Sequence, residues 1–320
     1  MSICELLLSA QEGKILDQED AVALLKINCH TDDFYKLLST ANSLSRAEYH
    51  NKGLVFAQIG INAEPCSVNC KFCSMGQDHY SLPVTGRKTT AEILSELDLL
   101  LANGINDFFL MTTADYPVKD FMDIAGILKK NLPENIRFVA NIGDFGYETA
   151  KKLKETGFTG VYHINRLREG IDTTIKPETR INTLNAVSDA GLELYYCVEP
   201  IRPEHSYEEL AAEMIRARHY NVKVMAVMQR TPVKGTPLYA KGQISAIELT
   251  KIAAVARLVT RPQRAMNAHE VTPMTLLAGV NQLYAEYGAN PRDTESQTEK
   301  NRSFSVAQAK NMLWEAGYNT

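Results

Sequence analysis

Three cysteines within eight residues are the feature of this sequence that most directly indicates chemistry. Cys66, Cys70 and Cys73 follow Pro65 in a loop and make up half of the six cysteines in the chain. Thiolates at this spacing can converge on one metal centre, and they are the usual ligands of iron–sulfur clusters. A 4Fe-4S cube has four irons, so three protein ligands leave one iron open to a small molecule. That arrangement suits catalysis better than electron storage.

Zinc and disulfide bonds are the other common uses of clustered cysteines. A structural zinc site usually needs four closed ligands, often in paired Cys-x-x-Cys units, and this sequence has no second pair. Disulfides suit secreted proteins, whereas the first residues here lack the charged and then apolar pattern of a secretion leader. We therefore expect a cytoplasmic protein with available thiolates, and we keep a zinc protein as an alternative.

The composition indicates an ordinary globular protein. The 320 residues are 45% hydrophobic and 22% charged, which is enough for a large core. The net charge of -4 argues against a nucleic acid partner. No apolar run is long enough to cross a bilayer, so we expect no membrane association.

Elements that could position the cysteines follow a regular alternation from Leu54 onward. The predicted strands are 54–59, 107–111, 136–141, 160–164, 192–198, 222–228 and 263–267. The predicted helices between and after them are 89–103, 119–131, 146–156, 177–190, 206–220 and 245–260. Repeated βα units imply parallel strands, and seven or eight of them most economically close into a (β/α)8 TIM-type barrel. An open doubly wound sheet is the alternative, but it would need a glycine-rich turn where the cysteine loop stands.

The first 50 residues contain helical patterns and no strand signal. We predict an N-terminal helical cap over residues 1–50, packed outside a barrel that spans residues 51–320. Cys4 and Cys29 fall in this cap, where we expect buried or idle thiols. The cysteine loop directly follows the first barrel strand. Barrel enzymes place their active sites at the carboxyl ends of the strands, so motif and fold predict the same location.

The pattern Cys-x-x-x-Cys-x-aromatic-Cys, here Cys66, Cys70, Phe72 and Cys73, resembles the signature of the radical S-adenosylmethionine (SAM) superfamily. The resemblance implies a 4Fe-4S cluster on the three cysteines, with SAM chelated at the open iron. It also implies reductive cleavage of SAM to a 5'-deoxyadenosyl radical, and it places Phe72 near the adenine. A one-electron donor such as flavodoxin or ferredoxin would be needed.

The biotin-synthase-like group within that superfamily is the branch that the rest of the chain resembles. The segment from Arg180 to Gly191 is similar to the fourth barrel helix of biotin synthase, and this likeness implies that Arg180 holds the SAM carboxylate. Asn165 matches an asparagine beside the cofactor and substrate, and Glu169 is a candidate for the ribose hydroxyls. The segment Gly288-Ala-Asn290 resembles a region shared by biotin and thiamine biosynthesis enzymes.

The sequence departs from biotin synthase inside the barrel. The residues that would hold its second, sulfur-donating cluster correspond here to positions near Phe109, Val139, Tyr195 and Met266. These cannot bind that cluster, so sulfur insertion of the biotin or lipoyl synthase type becomes the less favoured alternative. The chain is more similar in this respect to methylornithine synthase and the iron-hydrogenase maturase. An iron–sulfur carrier or electron-transfer protein is the alternative from another class.

Strand alternation predicts which side chains surround the substrate. Tyr195, Cys197 and Glu199 share one face of the fifth predicted strand, and we expect that face to point inward. Cys197 could equally be a packing residue or a thiol that handles radicals. The other polar candidates at strand ends are Thr112 and Asn141 for the cofactor and Arg230 for catalysis. These groups predict a small polar substrate, such as an amino acid or a hydroxylated carboxylate. A polar segment at 291–302 predicts a lid. The reaction after hydrogen abstraction and the oligomeric state stay open.

Overall fold

The computed structural model describes residues 2–82, 85–269, 272–285 and 304–320. Its strands are, in chain order, β1 (Leu54–Gly60), β2 (Asn62–Ala63), β3 (Gly86–Arg87), β4 (Asp107–Met111), β5 (Arg137–Asn141), β6 (Gly160–Tyr162), β7 (Glu193–Ile201), β8 (Val224–Gln229), β9 (Ala265–His269) and β10 (Gln282–Ala285). Its helices are α1 (Ile3–Gln11), α2 (Gln18–Leu25), α3 (Asp32–Glu48), α4 (Thr90–Ala102), α5 (Val118–Lys129), α6 (Tyr147–Thr156), α7 (Pro177–Asp189), α8 (Tyr207–His219), α9 (Ala246–Thr260), α10 (Pro273–Leu276) and α11 (Val306–Glu315).

A closed barrel of parallel strands forms the centre of the described residues. Its strands follow one another around the ring in the order β1, β4, β5, β6, β7, β8, β9 and β10, and β10 pairs with β1 again. The predicted (β/α)8 barrel is therefore confirmed. The seven predicted strands are all present, with ends that differ by a few residues. The eighth, β10, had no prediction because four residues carry too weak a strand pattern.

Helices α1, α2 and α3 pack outside the barrel, against one another and against α8 and α9. Capping boxes at Ser2 and Asp17 begin the first two helices. The contact with α9 includes a charge, since the fully buried Arg257 donates to Ser45 at 2.8 Å and to Glu48 at 2.5 Å. The division of the chain at residue 50 stays a prediction.

Aromatic and branched side chains fill the lower and middle part of the barrel. Its interior cluster consists of Phe56, Phe109, Val139, Tyr195, Val224, Ala265 and Tyr284. The position predicted near Met266 is occupied by its neighbour Ala265, which belongs to this cluster, while Met266 itself packs in the outer core with the helices. A shift of one residue along a strand changes the face of the sheet on which a side chain lies.

Two other predictions concern the carboxyl-terminal region. The segments 288–290 and 291–302 lie outside the described residues. Within the described part of the chain, no helix combines the length and the apolar character that crossing a membrane would require.

Candidate active site

A cavity of about 650 Å³ opens at the carboxyl ends of the barrel strands. This volume lies within the usual range for small-molecule sites. Cys66, Cys70 and Cys73 line one side of it, together with Phe72. The inward residues at the strand ends form the floor and walls, and they include Gln58, Met111, Asn141, Met228 and His269. The structure thus brings the cysteine motif to the mouth of the barrel, as the sequence predicts.

Hydrogen bonds from two neighbouring loops hold the cysteine loop in place. The backbone N–H of Ser67 donates to the Asp115 carboxylate at 2.6 Å, in the loop that follows β4. The Thr174 hydroxyl donates to the Ser67 carbonyl at 2.9 Å, and the backbone N–H of Lys71 donates to the Asp172 carbonyl at 2.9 Å. Thr174 and Asp172 lie between β6 and α7. The polypeptide therefore positions the loop through its own contacts.

His79 organises the part of the loop nearest the cysteines. Its Nε2 lies 3.1 Å from the Cys70 carbonyl oxygen and 3.0 Å from that of Cys73, and it donates to both when that nitrogen carries the proton. The close approach of this ring requires a glycine at 76, because a Cβ there would lie 2.4 Å from the His79 ring. His79 therefore connects two of the three predicted cluster ligands.

Cys66 and Cys70 lie in an environment that favours the protonated thiol. Burial raises the pKa of Cys66 above its usual value, and it raises the pKa of Cys70 to about 12 against the nearby charge of Arg166. Cluster binding would replace these protons, because the thiolate is the ligand. Among the described residues, no group of three or more His, Cys, Asp or Glu side chains has an arrangement that could hold a metal ion. The fit to a cluster rests on three soft thiol donors that share one cavity wall.

Arg180 lies on the cavity wall at the centre of a buried ionic network. Its Nη1 is 2.8 Å from Asp144 and its Nε is 3.0 Å from Glu169. His163 Nε2 lies 3.1 Å from the other oxygen of Asp144. Burial acts to raise the pKa of Asp144, but the hydrogen bond with His163 and the charge of Arg180 hold it below its usual value. The two carboxylates orient the guanidinium, as recognition of a carboxylate in the cavity would require.

A second charged group combines Arg166, Glu199 and Tyr162 on the same cavity. The Arg166 Nε lies 3.3 Å from the Glu199 carboxylate, and the Tyr162 hydroxyl donates to the other Glu199 oxygen at 2.9 Å. Glu199 is buried, with 6% of its surface exposed. A buried carboxylate needs such partners, since a charge without them is costly. Burial, followed by the charges of Cys197 and Glu199, raises the pKa of Tyr162 well above its usual value.

Arg230 borders the cavity directly after β8, with only 2% of its surface exposed. One Nη donates to the Gly242 carbonyl, and the other lies 3.6 Å from Glu204, which is too far for a hydrogen bond. Its Nε has no hydrogen-bond partner within the described protein. Burial lowers the pKa of Arg230. This guanidinium thus keeps donors available for an anionic group.

Comparison with known proteins places these features in a family context. No family model matches the sequence. The biotin synthase of Pelotomaculum thermopropionicum is 28% identical over 298 residues, which cover 87% of this chain and 90% of that protein. The biotin synthase of Clostridioides difficile is 29% identical over 262 residues, covering 77% and 78% of the two chains.

Two solved structures show the same architecture. HydG, a maturase of the FeFe-hydrogenase, superposes with a TM-score of 0.85 at 18% identity and covers 99% of this chain and 75% of HydG. Methylornithine synthase, PylB, has a TM-score of 0.83 at 18% identity, covering 98% and 96%. At this identity the two likenesses show the fold. Together with the curated relatives they confirm the predicted group. The chain is thus similar to biotin synthases along most of its length, in agreement with the predicted resemblance to the biotin-synthase-like radical SAM group.

The cavity contains most of the residues predicted from the sequence, and the likeness to biotin synthases supports the predicted cofactors, a 4Fe-4S cluster and SAM. The predicted residues on the wall are Cys66, Cys70, Phe72, Cys73, Thr112, Asn141, Arg180, Glu199 and Arg230. Their individual roles stay predictions.

Four predicted residues are not among those that line the cavity in the described chain, and their contact with a cofactor or substrate stays a prediction. Asn165 donates to Glu213 on α8 at 2.9 Å, so its amide points away from the cavity. Glu169 is buried, and its carboxylate accepts a hydrogen bond from Arg180 Nε at 3.0 Å. Tyr195 is part of the aromatic filling, and Cys197 is fully buried.

Arg166 and Tyr162 are the wall residues that the sequence analysis missed. Tyr162 is the last residue of β6, which is shorter than predicted. Arg166 directly follows Asn165, the residue that the match to biotin synthase singled out. The available signal was the buried Glu199, because an inward carboxylate implies a cation beside it.

Proposed function

We propose that this chain is a cytoplasmic radical SAM enzyme that acts on a small polar substrate in a biosynthetic pathway. The observation that supports this most directly is that the three motif cysteines and Arg180 line one cavity at the carboxyl end of a closed barrel. The thiols would hold a cluster at three corners, and Arg180 would bind a carboxylate in the same cavity.

Each wall group has a role in this proposal. Cys66, Cys70 and Cys73 would hold the cluster, Phe72 would contact the adenine, and Arg180 would grip the SAM carboxylate. When bound, the reduced cluster would cleave SAM to a 5'-deoxyadenosyl radical that abstracts a hydrogen atom from the substrate. The protein's own contribution is to orient these groups and to exclude water and oxygen from the cavity. A flavodoxin or ferredoxin would supply the electron.

The substrate end of the cavity supports an amino acid or a hydroxylated carboxylate. Arg230 offers unpaired N–H donors for an anion. Glu199 and Tyr162 offer a carboxylate and a phenol for ammonium or hydroxyl groups. Hydrogen abstraction could lead to rearrangement, carbon–carbon cleavage or methyl transfer.

Sulfur insertion is less well supported, although the curated relatives are named biotin synthase. A second cluster inside the barrel would need several cysteines there. Of the three cysteines outside the motif, Cys4 and Cys29 belong to the region before β1, and Cys197 is one thiol. A pure electron carrier would not need the charged cavity.

The proposed function can be tested without knowing the substrate. We expect the protein, reconstituted with iron and sulfide under argon, to form 5'-deoxyadenosine from SAM and dithionite. Cys70→Ala should abolish this product, while the matched control Cys29→Ala should retain it. Mass spectrometry of the nucleoside and the absorbance of the cluster measure the outcome. A colourless protein containing zinc, or a brown protein that forms no 5'-deoxyadenosine, would contradict the proposal.

A further inference from the structure

A phenol, a carboxylate and a thiol lie next to one another on the inner faces of β6 and β7. Tyr162 pairs with Tyr195 across these parallel strands. Residues two apart on a strand share a face, so Cys197 and Glu199 follow Tyr195 toward the cavity. The Tyr162 hydroxyl reaches Glu199 at 2.9 Å. Tyr162 and Glu199 line the cavity, and Cys197 lies beneath them with no exposed surface.

The opposite face of β7 confirms this orientation. Tyr196 points outward, since its hydroxyl donates to Glu213 on α8 at 2.7 Å. The Cys197 thiol has only a weak contact with the Val198 carbonyl, at 3.7 Å, besides its neighbours Tyr162 and Glu199. A buried thiol in this position is not explained by cluster binding or by SAM binding.

The Cys197 thiol and the Tyr162 phenol both keep the hydrogen that a hydrogen-atom transfer would need. Burial raises the pKa of the Cys197 thiol well above its usual value, and Glu199 acts in the same direction. The pKa of Tyr162 is raised for the same reasons. The S–H and phenol O–H bonds are both weaker than the C–H bonds of a typical aliphatic substrate. Each group can therefore donate a hydrogen atom to a carbon radical.

We propose that Tyr162 and Cys197 form a hydrogen-atom relay that quenches a carbon-centred radical in the cavity. This inference rests on the proposed radical SAM function and adds the step after abstraction. Tyr162 is the donor at the cavity wall, and Cys197 is the reserve behind it. Glu199 is a positioning residue, because it accepts the hydrogen bond that holds the phenol.

The relay balances in three steps. The Tyr162 O–H bond breaks homolytically as a C–H bond forms on the radical, which leaves a phenoxyl radical. The Cys197 S–H bond then breaks as the Tyr162 O–H bond re-forms, which leaves a thiyl radical. One electron from a flavin or iron–sulfur donor, the class that reduces the cluster, and one proton from solvent restore the thiol.

The adenosyl radical itself can serve as the carbon-centred probe. The holoenzyme is prepared in D2O so that O–H and S–H groups carry deuterium, and SAM is cleaved with dithionite in the absence of substrate. We expect most of the 5'-deoxyadenosine to contain one deuterium. Tyr162→Phe should lose this label while still forming unlabelled product from C–H donors. Tyr284→Phe, which removes another phenol on the same wall, should keep the label.

Two further measurements distinguish the relay from a structural role. Cys197→Ser should block the second step, so a tyrosyl radical should accumulate in electron paramagnetic resonance and disappear when Tyr162→Phe is added. In the protein without cluster, the S–H stretching band of Cys197 should shift in Tyr162→Phe if the two groups are in contact. Circular dichroism checks that each variant is folded.

The outcomes separate failure of the relay from failure of the proposed function. Unlabelled 5'-deoxyadenosine from the wild type, or a label that persists in Tyr162→Phe, would overturn the relay alone. An unshifted S–H band would do the same. If the wild type forms no 5'-deoxyadenosine at all, the proposed function fails and the relay fails with it.

Discussion

The lower and upper halves of the barrel interior are built from opposite kinds of residue. In the lower half, aromatic rings pack against one another: the centroids of Phe56 and Phe109 are 4.6 Å apart with tilted planes, and Phe109 and Tyr195 meet edge to face at 5.3 Å. In the upper half, thiols, guanidinium groups and carboxylates surround a cavity. The lower half is therefore a packed core. Among the described residues, open space for a ligand lies next to the cysteine loop.

The two halves also differ in how they use an aspartate–arginine pair. Below, Asp107 on β4 is fully buried. It accepts from Arg264, just before β9, at 2.5 Å and from Gln282 on β10 at 2.6 Å, so it connects three neighbouring segments at the barrel floor. Above, Asp144 orients Arg180 beside the cavity. The same kind of ion pair is thus enclosed at one end of the barrel and borders the cavity at the other.

The largest expected effect comes from removing the aromatic filling. Phe109→Ala should lower the free energy of unfolding by about 3–5 kcal/mol, because it removes a buried ring that packs against Phe56 and Tyr195 and enlarges the cavity above them. Asn141→Ala, on the neighbouring strand but at the upper cavity, should cost about 1 kcal/mol, since it removes one hydrogen bond to Gln58. Urea unfolding of both variants measures the difference. Equal costs would show that the two halves do not differ as described.

Breaking the upper ion pair should affect both stability and binding. Arg180→Met leaves Asp144 and Glu169 without their cation, so we expect a loss of about 3 kcal/mol in unfolding free energy. It should also abolish SAM binding by the reconstituted protein, measured by equilibrium dialysis. Arg264→Met is the matched change at the floor, and it should destabilise the protein while the folded fraction still binds SAM. Retained SAM binding in Arg180→Met would contradict the assignment of Arg180.

Sequence reasoning predicted the barrel and the cysteine loop because both depend on strong local patterns. The βα alternation repeats through most of the chain, and the spacing of Cys66, Cys70 and Cys73 is specific by itself. Arg180 was found through its likeness to the fourth barrel helix of biotin synthase. The location of the cavity at the strand ends then followed from the geometry of parallel barrels.

The errors occur where the end of a strand decides which way a side chain points. β6 ends at Tyr162, two residues before the predicted end, so Asn165 lies beyond the part of the chain to which strand alternation applies. The Asn165 amide turns to Glu213, and Arg166 takes the place on the wall. The position predicted near Met266 belongs to Ala265, because an alignment that is uncertain by one residue changes the face of the strand on which a side chain lies.

A smaller effect is expected from the histidine that supports the cysteine loop. His79→Ala removes the donor shared by the Cys70 and Cys73 carbonyls, so these two ligands lose part of their orientation. Supporting residues of this kind typically change metal affinity about 10–100-fold. We expect a weaker hold on iron when a chelator is titrated into the reconstituted protein. His219→Ala, an exposed histidine at the end of α8, is the control and should match the wild type.

The smallest effects should appear in the pH dependence of stability, and they should have opposite signs in the two halves. The pKa of Asp144 is held below its ordinary value of 3.8 by His163 and Arg180, against the effect of burial. Its stabilising contribution is therefore present above that value and is lost as the pH falls through the lower pKa of the folded state. Burial raises the pKa of Asp107 despite Arg264. Its contribution is fully present below 3.8 and is lost as the pH rises through the higher folded pKa.

Asparagine at either position cannot titrate, so each variant isolates one contribution. Raising the pH from below 3.8 should increase the stability advantage of the wild type over Asp144→Asn and decrease its advantage over Asp107→Asn. Urea unfolding over a series of acidic pH values measures both differences with the wild type as a common reference. If the two difference curves run parallel, the two aspartates occupy equivalent environments, and the contrast between the pair beside the cavity and the fully buried pair at the floor is wrong. Curves that diverge in the stated directions assign the acid sensitivity of the barrel to the carboxylate beside the cavity.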